Sequence, residues 1–401
     1  MFVSGIIKLL ARLNLYLGIL LRRRRPGYRN SKIESILIKR TDRIGDAAVT
    51  LPLLLALDKR FKVVVLTSKY NDSFLNKFLS TEIFTDVPTG LFGSLGLMVK
   101  GVFLWLGSPR KNPPKYDLFL DLNGLRDLDT FLKVRKDNLC RYYVGFNMGI
   151  WNLLLDYALP DYPVLFSQEH ILDSCRKLVR DALGCDLDLP DAIDFSDKMT
   201  RPADFEMKEE FILVNISGRD QFRGPEPEFY ARLIDSLDFS GKIVIMDGLR
   251  RVNFPGFKSS VKKDNIVYLE RDFSLWELLY IAARSSLYVG ADSGISNLLQ
   301  FSTNAILFFA TGIPWVWRPY SKNPYRIEKM DRLIVEQTVN SCGLTKKILY
   351  APVSCRPCFD RGCAKTNCLS SFDYNAVGRV LNDTLTEISN HKSYPLGKRD
   401  G

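Results

Sequence analysis

The chain has 401 residues, of which 46% are hydrophobic and 25% charged, and its formal net charge is +11. This length predicts two domains, and the composition excludes both a disordered protein and an integral membrane bundle. Eight cysteines and two histidines are too few for a secreted disulfide scaffold or for a site built from several histidines.

The positive charge is concentrated in residues 1–32, which hold eight basic residues and no acidic one. Without those eight, 48 basic residues face 45 acidic ones, which leaves about +3 for the rest of the chain. The first 21 residues are mainly apolar, with Lys8 and Arg12 on one helix face, and run into Arg22–Arg25. This pattern predicts a helix lying on an anionic membrane surface, with the body on the cytoplasmic side. A helix packed on the protein's own surface and a signal anchor are the alternatives.

From residue 35 onward, short apolar runs alternate with helical stretches. The runs that resemble buried parallel strands are Ser35–Lys39, Lys62–Leu66, Tyr116–Leu120, Phe211–Ile216, Lys242–Met246, Asn265–Leu269, Ser286–Val289 and Asn304–Phe309. The predicted helices between them include Ala47–Lys59, Glu226–Leu237 and Leu275–Arg284. This alternation predicts parallel βαβ units in doubly wound sheets.

The predicted fold class is α/β, with two Rossmann-like domains, a cleft between them and an N-terminal membrane-associating helix. The predicted segments are the basic arm 1–32, a first Rossmann-like domain 33–190, an acidic linker 191–210, a second Rossmann-like domain 211–371 with a cysteine-rich insert 355–368, and a helix with a tail 372–401. Two stretches of the first domain, Leu91–Leu106 and Tyr142–Leu159, are more apolar than loops. They are predicted as core helices, with a lipid-facing lip for an amphiphilic acceptor as the alternative.

Ligands of doubly wound sheets bind at the carboxyl ends of strands, so the segments that follow the strands are the first candidates. After the first strand come Arg43, Gly45 and Asp46. Gly45 is expected to let the chain turn sharply, and Asp46 is expected at or just before the next helix, whose regular part Pro52 limits. Asp46 then has two interpretations, an acid favoured at a helix start or a general base for an acceptor hydroxyl.

In the second half, two segments combine glycine and hydroxyl side chains before a helix, the pattern that presents backbone N–H groups to a phosphate. The candidate residues there are Ser217, Arg219, Arg223, Asp292, Ser293 and Gly294. The two arginines could neutralise a diphosphate leaving group, or they could be solvated surface residues. Neither segment is a Walker loop or a GxGxxG fingerprint. No Asp-x-Asp motif follows a strand, so no metal is expected for catalysis.

Four cysteines late in the chain, Cys355, Cys358, Cys363 and Cys368, have C-x₂-C-x₄-C-x₄-C spacing. This spacing is compatible with a structural zinc site, and equally with a reduced thiol-rich loop or a local disulfide. It is also close to a zinc knuckle, which would indicate RNA binding. Because the body of the chain is nearly neutral, no nucleic acid partner is expected.

Three segments form recognisable motifs: Ile38–Asp46 followed by Thr50–Leu53, Gly290–Ser296, and Cys355–Leu369. They resemble motifs of glycosyltransferase family 9, the ADP-heptose:lipopolysaccharide heptosyltransferases, which are inverting enzymes of GT-B architecture. The first resembles the opening motif of the family, the second its late Asp-Thr/Ser-Gly donor loop, and the third its cysteine-bearing insert. The motifs occur in the family's order and extend over nearly the whole chain.

The resemblance implies that Asp46 is the catalytic base, in a loop with Arg43 and Gly45, and that Asp292–Gly294 lines the donor site. It places Arg223 near the phosphate-contacting basic residue of the family. It further implies transfer of a sugar, heptose first, from a nucleotide-diphosphate donor to a lipopolysaccharide-core or related lipid-linked glycan. Inversion of configuration is part of the same expectation.

The departures from the family pattern are all on the donor side. Asn297 stands where histidine is usual and Asn304 where proline is common, and Phe222–Gly224 and Ala310–Gly312 replace family loops. No counterpart of the family's ribose-binding acid is apparent. A family member with a different nucleotide sugar is therefore the first alternative. A non-catalytic membrane-bound binding module and a zinc-knuckle RNA-binding protein are the others.

Overall fold

The computed structural model describes residues 32–83, 113–123, 128–146, 152, 154–159, 169–217, 225–247, 253–310, 313–353, 368 and 373–390. The chain divides into two compact units, Met1–Pro190 and Asp191–Gly401. The predicted membrane helix and the stretch Leu91–Leu106 lie outside the described residues. Among the residues that are described, no helix is both long enough and apolar enough to cross a membrane.

The first unit contains a six-stranded parallel sheet. Its strands are β1 (Ser35–Arg40), β2 (Lys62–Thr67), β3 (Ser80–Ile83), β4 (Tyr116–Asp121), β5 (Cys140–Phe146) and β6 (Tyr157–Leu159). Its helices are α1 (Ile44–Asp58), α2 (Lys69–Leu75), α3 (Leu128–Lys136) and α4 (Ile171–Leu183). The strand order is β3-β2-β1-β4-β5-β6, and every pairing is parallel. The central strands are continuous apolar runs, as sheets covered on both faces require.

Helix α1 begins at Ile44, three residues before the predicted start, and it passes through Pro52 without ending. Proline removes one intrahelical hydrogen bond and normally destabilises a helix interior. Eleven of the fifteen residues of α1 are buried. We attribute the persistence of the helix to this burial, because tertiary packing overrides local propensity.

The prediction of core helices over Tyr142–Leu159 is wrong for its described residues, because they lie in β5, in β6 and in the turn before β6. A short apolar run does not distinguish a buried strand from a buried helix, and the β-forming residues at its start favour the strand. Tyr143 of β5 packs with Phe119 and Phe131, with ring centroids 5.7 and 6.2 Å from its own. The apolar character of the run therefore serves the core of the first unit.

The second unit contains an eight-stranded sheet. Its strands are β7 (Phe211–Asn215), β8 (Lys242–Met246), β9 (Ile266–Tyr268), β10 (Leu287–Ala291), β11 (Ala305–Phe308), β12 (Arg326–Lys329), β13 (Ile334–Val339) and β14 (Thr345–Tyr350). Its helices are α5 (Pro227–Asp235), α6 (Phe254–Ser260), α7 (Leu275–Arg284), α8 (Gly294–Leu299), α9 (Pro314–Trp317) and α10 (Tyr374–Asn390). The order is β12-β13-β14-β11-β10-β7-β8-β9, with antiparallel pairing only at β12–β13 and β13–β14.

Residues 191–210, the predicted linker, pack on the second unit. Phe195 lies with its ring centroid 6.1 Å from that of Phe301, and Phe205 lies 5.7 Å from Phe211. Asp191 accepts hydrogen bonds from the hydroxyl of Ser341, at 2.5 Å, and from nearby backbone N–H groups. This segment is therefore part of the second unit rather than a free connection.

Candidate functional site

Each sheet has a topological switch point between the first and the fourth strand of its unit. In the first unit the switch point is the border of β1 and β4, and in the second unit it is the border of β7 and β10. Connections leave the sheet in opposite directions from such a border, so the carboxyl ends of its two strands open a crevice that commonly binds ligands. Asp46 follows β1 and Asp292–Gly294 follows β10, so both predicted site segments lie at switch points.

Arg40 holds the connection from β1 to α1 in place. Its side chain is buried, and its Nη2 and Nε atoms donate to the carbonyl oxygen of Asp46 at 2.8 and 3.3 Å. Nη1 of the same guanidinium donates to the carbonyl oxygen of Leu122 at 3.1 Å. One cation therefore ties the first turn of α1 to the segment that follows β4.

The carboxylate of Asp46 is partly open, with 16% of its side chain exposed, and its Oδ1 lies 3.9 Å from Nη2 of Arg40. Asp46 is the third residue of α1, and Arg43 occupies the N-cap position. Asp46 is therefore not the cap of this helix, although an acid in the first turn still interacts favourably with the helix dipole. A partly exposed carboxylate at this edge can accept a proton from a ligand hydroxyl.

The sharp turn predicted at Gly45 is absent. Gly45 lies in the first turn of α1 and is buried. Among the described glycines, positive φ angles occur at Gly184 and Gly343 instead. Arg43 is exposed and makes no side-chain cap hydrogen bond. The loop residues predicted beside Asp46 thus shape the helix start rather than a tight turn.

A fully buried ion pair lies at the same edge. Nζ of Lys39 is 3.1 Å from Oδ2 of Asp121, and both side chains are 0% exposed. Oδ1 of Asp121 accepts the backbone N–H of Asn123 at 2.8 Å, which fixes the turn after β4. This pair was not predicted from the sequence, although Lys39 ends the predicted strand Ser35–Lys39 and Asp121 directly follows the predicted strand Tyr116–Leu120.

Two buried asparagines brace the Asp46 connection. Nδ2 of Asn71 donates to the carbonyl oxygen of Asp42 at 2.6 Å, and Nδ2 of Asn123 lies 3.2 Å from Oγ1 of Thr41. The Oδ1 atoms of both asparagines have no hydrogen-bond partner among the residues that the structure describes. The sequence analysis missed both residues, since neither belongs to a recognisable motif.

In the second unit, Ser293 is the N-cap of α8. Its hydroxyl accepts the N–H of Ser296 at 3.2 Å, and its carbonyl accepts the N–H of Asn297 at 3.0 Å. Gly294 is the first residue of that helix, and Asp292 is 7% exposed. Three of the predicted donor residues, Asp292–Gly294, therefore lie in one strand-to-helix turn.

Ser217 lies at the neighbouring strand end. Its N–H and hydroxyl donate to Oδ1 of Asn215 at 3.1 and 2.7 Å, and Asn215 pairs with Gly290 in the ladder between β7 and β10. The turn at Ser217 and the turn at Ser293 therefore follow neighbouring parallel strands at the switch point.

A small pocket borders the same edge of the second unit. Its lining includes Met246, Asp247, Leu269, Phe273, Leu278 and Ile295. Asp247 directly follows β8 and accepts the N–H and Nδ2 of Asn253 at 2.6 and 2.7 Å. Burial raises the pKa of Asp247 above its ordinary value, against hydrogen bonds from Asn253 that lower it.

Asp247 is a buried acid at a strand end that was not among the residues predicted from the sequence. The signal was present, since Asp247 is the residue immediately after the predicted strand Lys242–Met246. The rule that singled out Asp46 would have singled out Asp247 as well. Its pocket combines apolar side chains with three charged residues, Asp247, Arg271 and Asp272. Apolar walls with a few polar groups are typical of small-molecule sites.

The remaining predicted site residues lie outside the described part of the chain. These are Arg219, Arg223, Cys355, Cys358 and Cys363. Cys368 is described and is partly exposed. Within the described ranges, no group of three or more histidine, cysteine, aspartate or glutamate residues is arranged to hold a metal ion.

No family model and no curated protein matches the sequence significantly. Solved structures do match. A glycosyl transferase family 9 protein from Veillonella parvula has a TM-score of 0.57 at 14% identity, over 88% of this chain and 97% of that chain. E. coli heptosyltransferase WaaC with ADP has a TM-score of 0.55 at 16% identity, over 87% and 99% respectively. E. coli ADP-heptose lps heptosyltransferase II has a TM-score of 0.57 at 13% identity, over 89% and 100%.

These comparisons cover nearly the whole chain at low sequence identity. They confirm, at the level of the fold, the resemblance to family 9 that the three motifs indicated. The predicted α/β class is confirmed in both units. The sheet of the first unit is parallel throughout, whereas the second sheet is parallel except for the antiparallel pairing of β13 with β12 and β14 at one edge.

Proposed function

We propose that this chain is a glycosyltransferase of the family 9 type, which moves a sugar from a nucleoside diphosphate to a hydroxyl group of a glycan. ADP-heptose is the first candidate donor, and a lipopolysaccharide core or related lipid-linked glycan is the first candidate acceptor. One observation carries this proposal. Two motifs that resemble the family, at Asp46 and at Asp292–Gly294, each lie at the switch point of their own sheet in a chain with the family's fold.

We assign the acceptor to the first unit. In the proposed step, the acceptor hydroxyl gives its proton to the carboxylate of Asp46, and its oxygen bonds to the anomeric carbon. The bond from that carbon to the diphosphate oxygen breaks, and the configuration inverts. Arg40 supports this role because its guanidinium fixes the backbone of Asp46, with Nη2 lying 3.9 Å from Oδ1 of the carboxylate.

We assign the donor to the second unit. We assign binding of the diphosphate to the backbone N–H groups at the start of α8, and binding of the ribose hydroxyl groups to Asp247. Arg219 and Arg223 remain proposed counter-charges for the leaving diphosphate. The proposed reaction uses no metal, and a zinc ion at the cysteine cluster would serve structure only.

The arm 1–32 is proposed to hold the protein on the inner face of the cytoplasmic membrane. Its eight basic residues and its apolar stretch support this placement. Co-sedimentation of the full chain with anionic and with neutral vesicles tests it, and equal binding to both kinds of vesicle would contradict the electrostatic part.

The decisive experiment is the thermal stability of the purified chain with ADP, UDP, GDP or CMP. A ligand at 100 times its dissociation constant stabilises a protein by about 2.7 kcal/mol. Selective stabilisation by ADP is expected for a heptosyltransferase, and stabilisation by UDP or GDP would identify a different donor. A chain that responds to none of the four would favour the non-catalytic binding module.

A further inference from the structure

The hydroxyl of Tyr288 is buried between the two ligand-side turns of the second unit. Tyr288 lies on β10 and is 0% exposed. Its hydroxyl accepts Nδ2 of Asn215 at 3.2 Å and lies 2.8 Å from Oγ of Ser296. Asn215 belongs to the strand end at Ser217, and Ser296 belongs to the turn that Ser293 caps.

The protons of this network have a single consistent arrangement. Ser296 donates its hydroxyl proton to the carbonyl oxygen of Ala291 at 2.5 Å. Its oxygen must therefore accept from its two neighbours, the hydroxyls of Tyr288 at 2.8 Å and Ser293 at 2.9 Å. Because each hydroxyl has one partner for its proton, the chain of hydrogen bonds cannot reverse without breaking a link.

The amide of Asn215 extends the network to the other turn. Its Oδ1 accepts both the N–H and the hydroxyl of Ser217, so its Nδ2 must face Tyr288. A continuous path of hydrogen bonds thus runs from Ser217 through Asn215, Tyr288 and Ser296 to Ser293.

Gly290 provides the space for this path. A Cβ at residue 290 would lie 2.6 Å from the hydroxyl oxygen of Tyr288 and 2.9 Å from its Cζ. Real Cβ atoms essentially never approach that closely. Glycine at residue 290 therefore leaves the space that the hydroxyl of Tyr288 occupies.

We propose that Tyr288 is a positioning residue of the donor site, which couples the turn at Ser217 to the turn at Ser293 so that both turns engage one nucleoside diphosphate as a unit. This inference rests on the proposed function. Tyr288 does not itself reach the ligand, since it is fully buried and acts through Asn215 and Ser296.

The test is a double-mutant cycle on nucleotide binding by the full chain, with ADP, UDP and GDP as probes in calorimetric titration. Ser217→Ala and Ser293→Ala are measured singly and together, in the wild-type background and with Tyr288→Phe. In the wild-type background, the two substitutions should depart from additivity by at least about threefold in dissociation constant. With Tyr288→Phe the departure should disappear, and affinity should fall by about tenfold.

Tyr230→Phe is the matched control. Tyr230 is also 0% exposed in the second unit, and its hydroxyl has no hydrogen-bond partner in the described part of the chain. Removing this hydroxyl should leave both the affinity and the coupling unchanged. A general loss of packing would affect both tyrosine variants alike, whereas loss of coupling affects Tyr288→Phe alone.

The titrations distinguish a failure of the role proposed for Tyr288 from a failure of the proposed donor site. Additive serine effects in the wild-type background, or coupling that survives Tyr288→Phe, would overturn the role of Tyr288 while nucleotide binding stands. A wild-type chain that binds none of the three probes would remove the proposed donor site, and the positioning role with it.

Discussion

The two sheets have the same strand order around their switch points, but different side-chain interactions connect the strands there. In the first unit, charged groups make the ties, through the Lys39–Asp121 pair and the guanidinium of Arg40. In the second unit, the ties between β7 and β10 run through the amide of Asn215 and the hydroxyl of Tyr288. The charged interactions of the first unit hold the segment that carries Asp46, the proposed catalytic base. The neutral hydrogen bonds of the second unit add no buried charge beside the proposed diphosphate, whose own charge would interact strongly with such a charge in a low-dielectric site.

The largest expected effect is at the charged edge, with Asp46→Asn. The amide keeps the shape of the side chain but cannot take the acceptor's proton, so kcat for sugar transfer should fall by about 100- to 10,000-fold. Transfer from the nucleotide sugar that the stability screen identifies is the measurement. Nucleotide affinity and the unfolding midpoint should remain near wild type. Full activity in this variant would remove Asp46 from the mechanism and leave the fold assignment intact.

The next largest effect is expected when the buried ion pair of Lys39 and Asp121 is broken. Lys39→Met leaves the carboxylate of Asp121 without its cation, and loss of one partner of a buried pair costs about 3–5 kcal/mol. Urea denaturation measures the change in the free energy of unfolding. Lys39→Met with Asp121→Asn should recover most of it, because that pair of changes removes both charges and keeps an oxygen for the N–H of Asn123. Equal destabilisation in the single and double variants would show that packing, rather than charge, explains the loss.

The second unit also buries a cation, but at the amino-end edge of its sheet, away from the proposed ligand. Nζ of Lys346 donates to the carbonyl oxygens of Gln300 and Thr303, and burial lowers its pKa to about 7. Between that value and the ordinary lysine value, the unfolded chain holds a proton that the folded chain has released. The free energy of unfolding should therefore rise with pH across this window.

Lys346→Met isolates this contribution. The difference in free energy of unfolding between wild type and variant should shift in favour of wild type by about 2 kcal/mol from pH 7.5 to 9. Chemical denaturation at both pH values measures it. A difference that stays constant with pH would mean that Lys346 keeps its proton in the folded state, held by the two carbonyl oxygens.

The smallest effect concerns two helix caps in the second unit. Ser293 caps α8, and Ser274 caps α7 in a complete capping box with Glu277. Replacing either serine by alanine should cost about 1 kcal/mol of stability. Only Ser293→Ala should also weaken nucleotide binding, because Ser274 lies at an exposed helix start. Equal binding losses would show that capping alone, rather than the place of Ser293 in the donor turn, controls affinity.

Most of the fold was predictable, because it depends on local periodicity. The apolar run at β7 indicates a strand, and the amphipathic pattern of α7 indicates a helix. The start of α1 was predicted too late, since Pro52 was weighed as a helix limit and the burial of the helix was not known from the sequence. The stretch Tyr142–Leu159 is mainly apolar without a clear alternation, and such a run does not distinguish a buried strand from a buried helix.

The candidate site was predictable only where a motif lies in one segment. Asp46 lies in the first helical turn after β1 and Ser293 in the turn after β10, and both were predicted from their own segments. The tie from Lys39 to Asp121 joins residues 82 positions apart, and the tie from Asn215 to Tyr288 joins residues 73 apart. The residues of such pairs become neighbours through the order of the strands in the sheet, and a single sequence does not show that order.

Helix α10 has a consequence for how the chain is made. Its residues Val377 and Leu381 are buried in the core of the second unit, and Asn382 accepts the N–H of Asp238 at 3.0 Å. That core cannot close until a segment near residue 390 has been synthesised, whereas the first unit is complete by Pro190. At bacterial or eukaryotic elongation rates the interval is on the order of 10–40 s. During translation, the first unit therefore has time to fold before the sheet of the second unit is covered by its last helix.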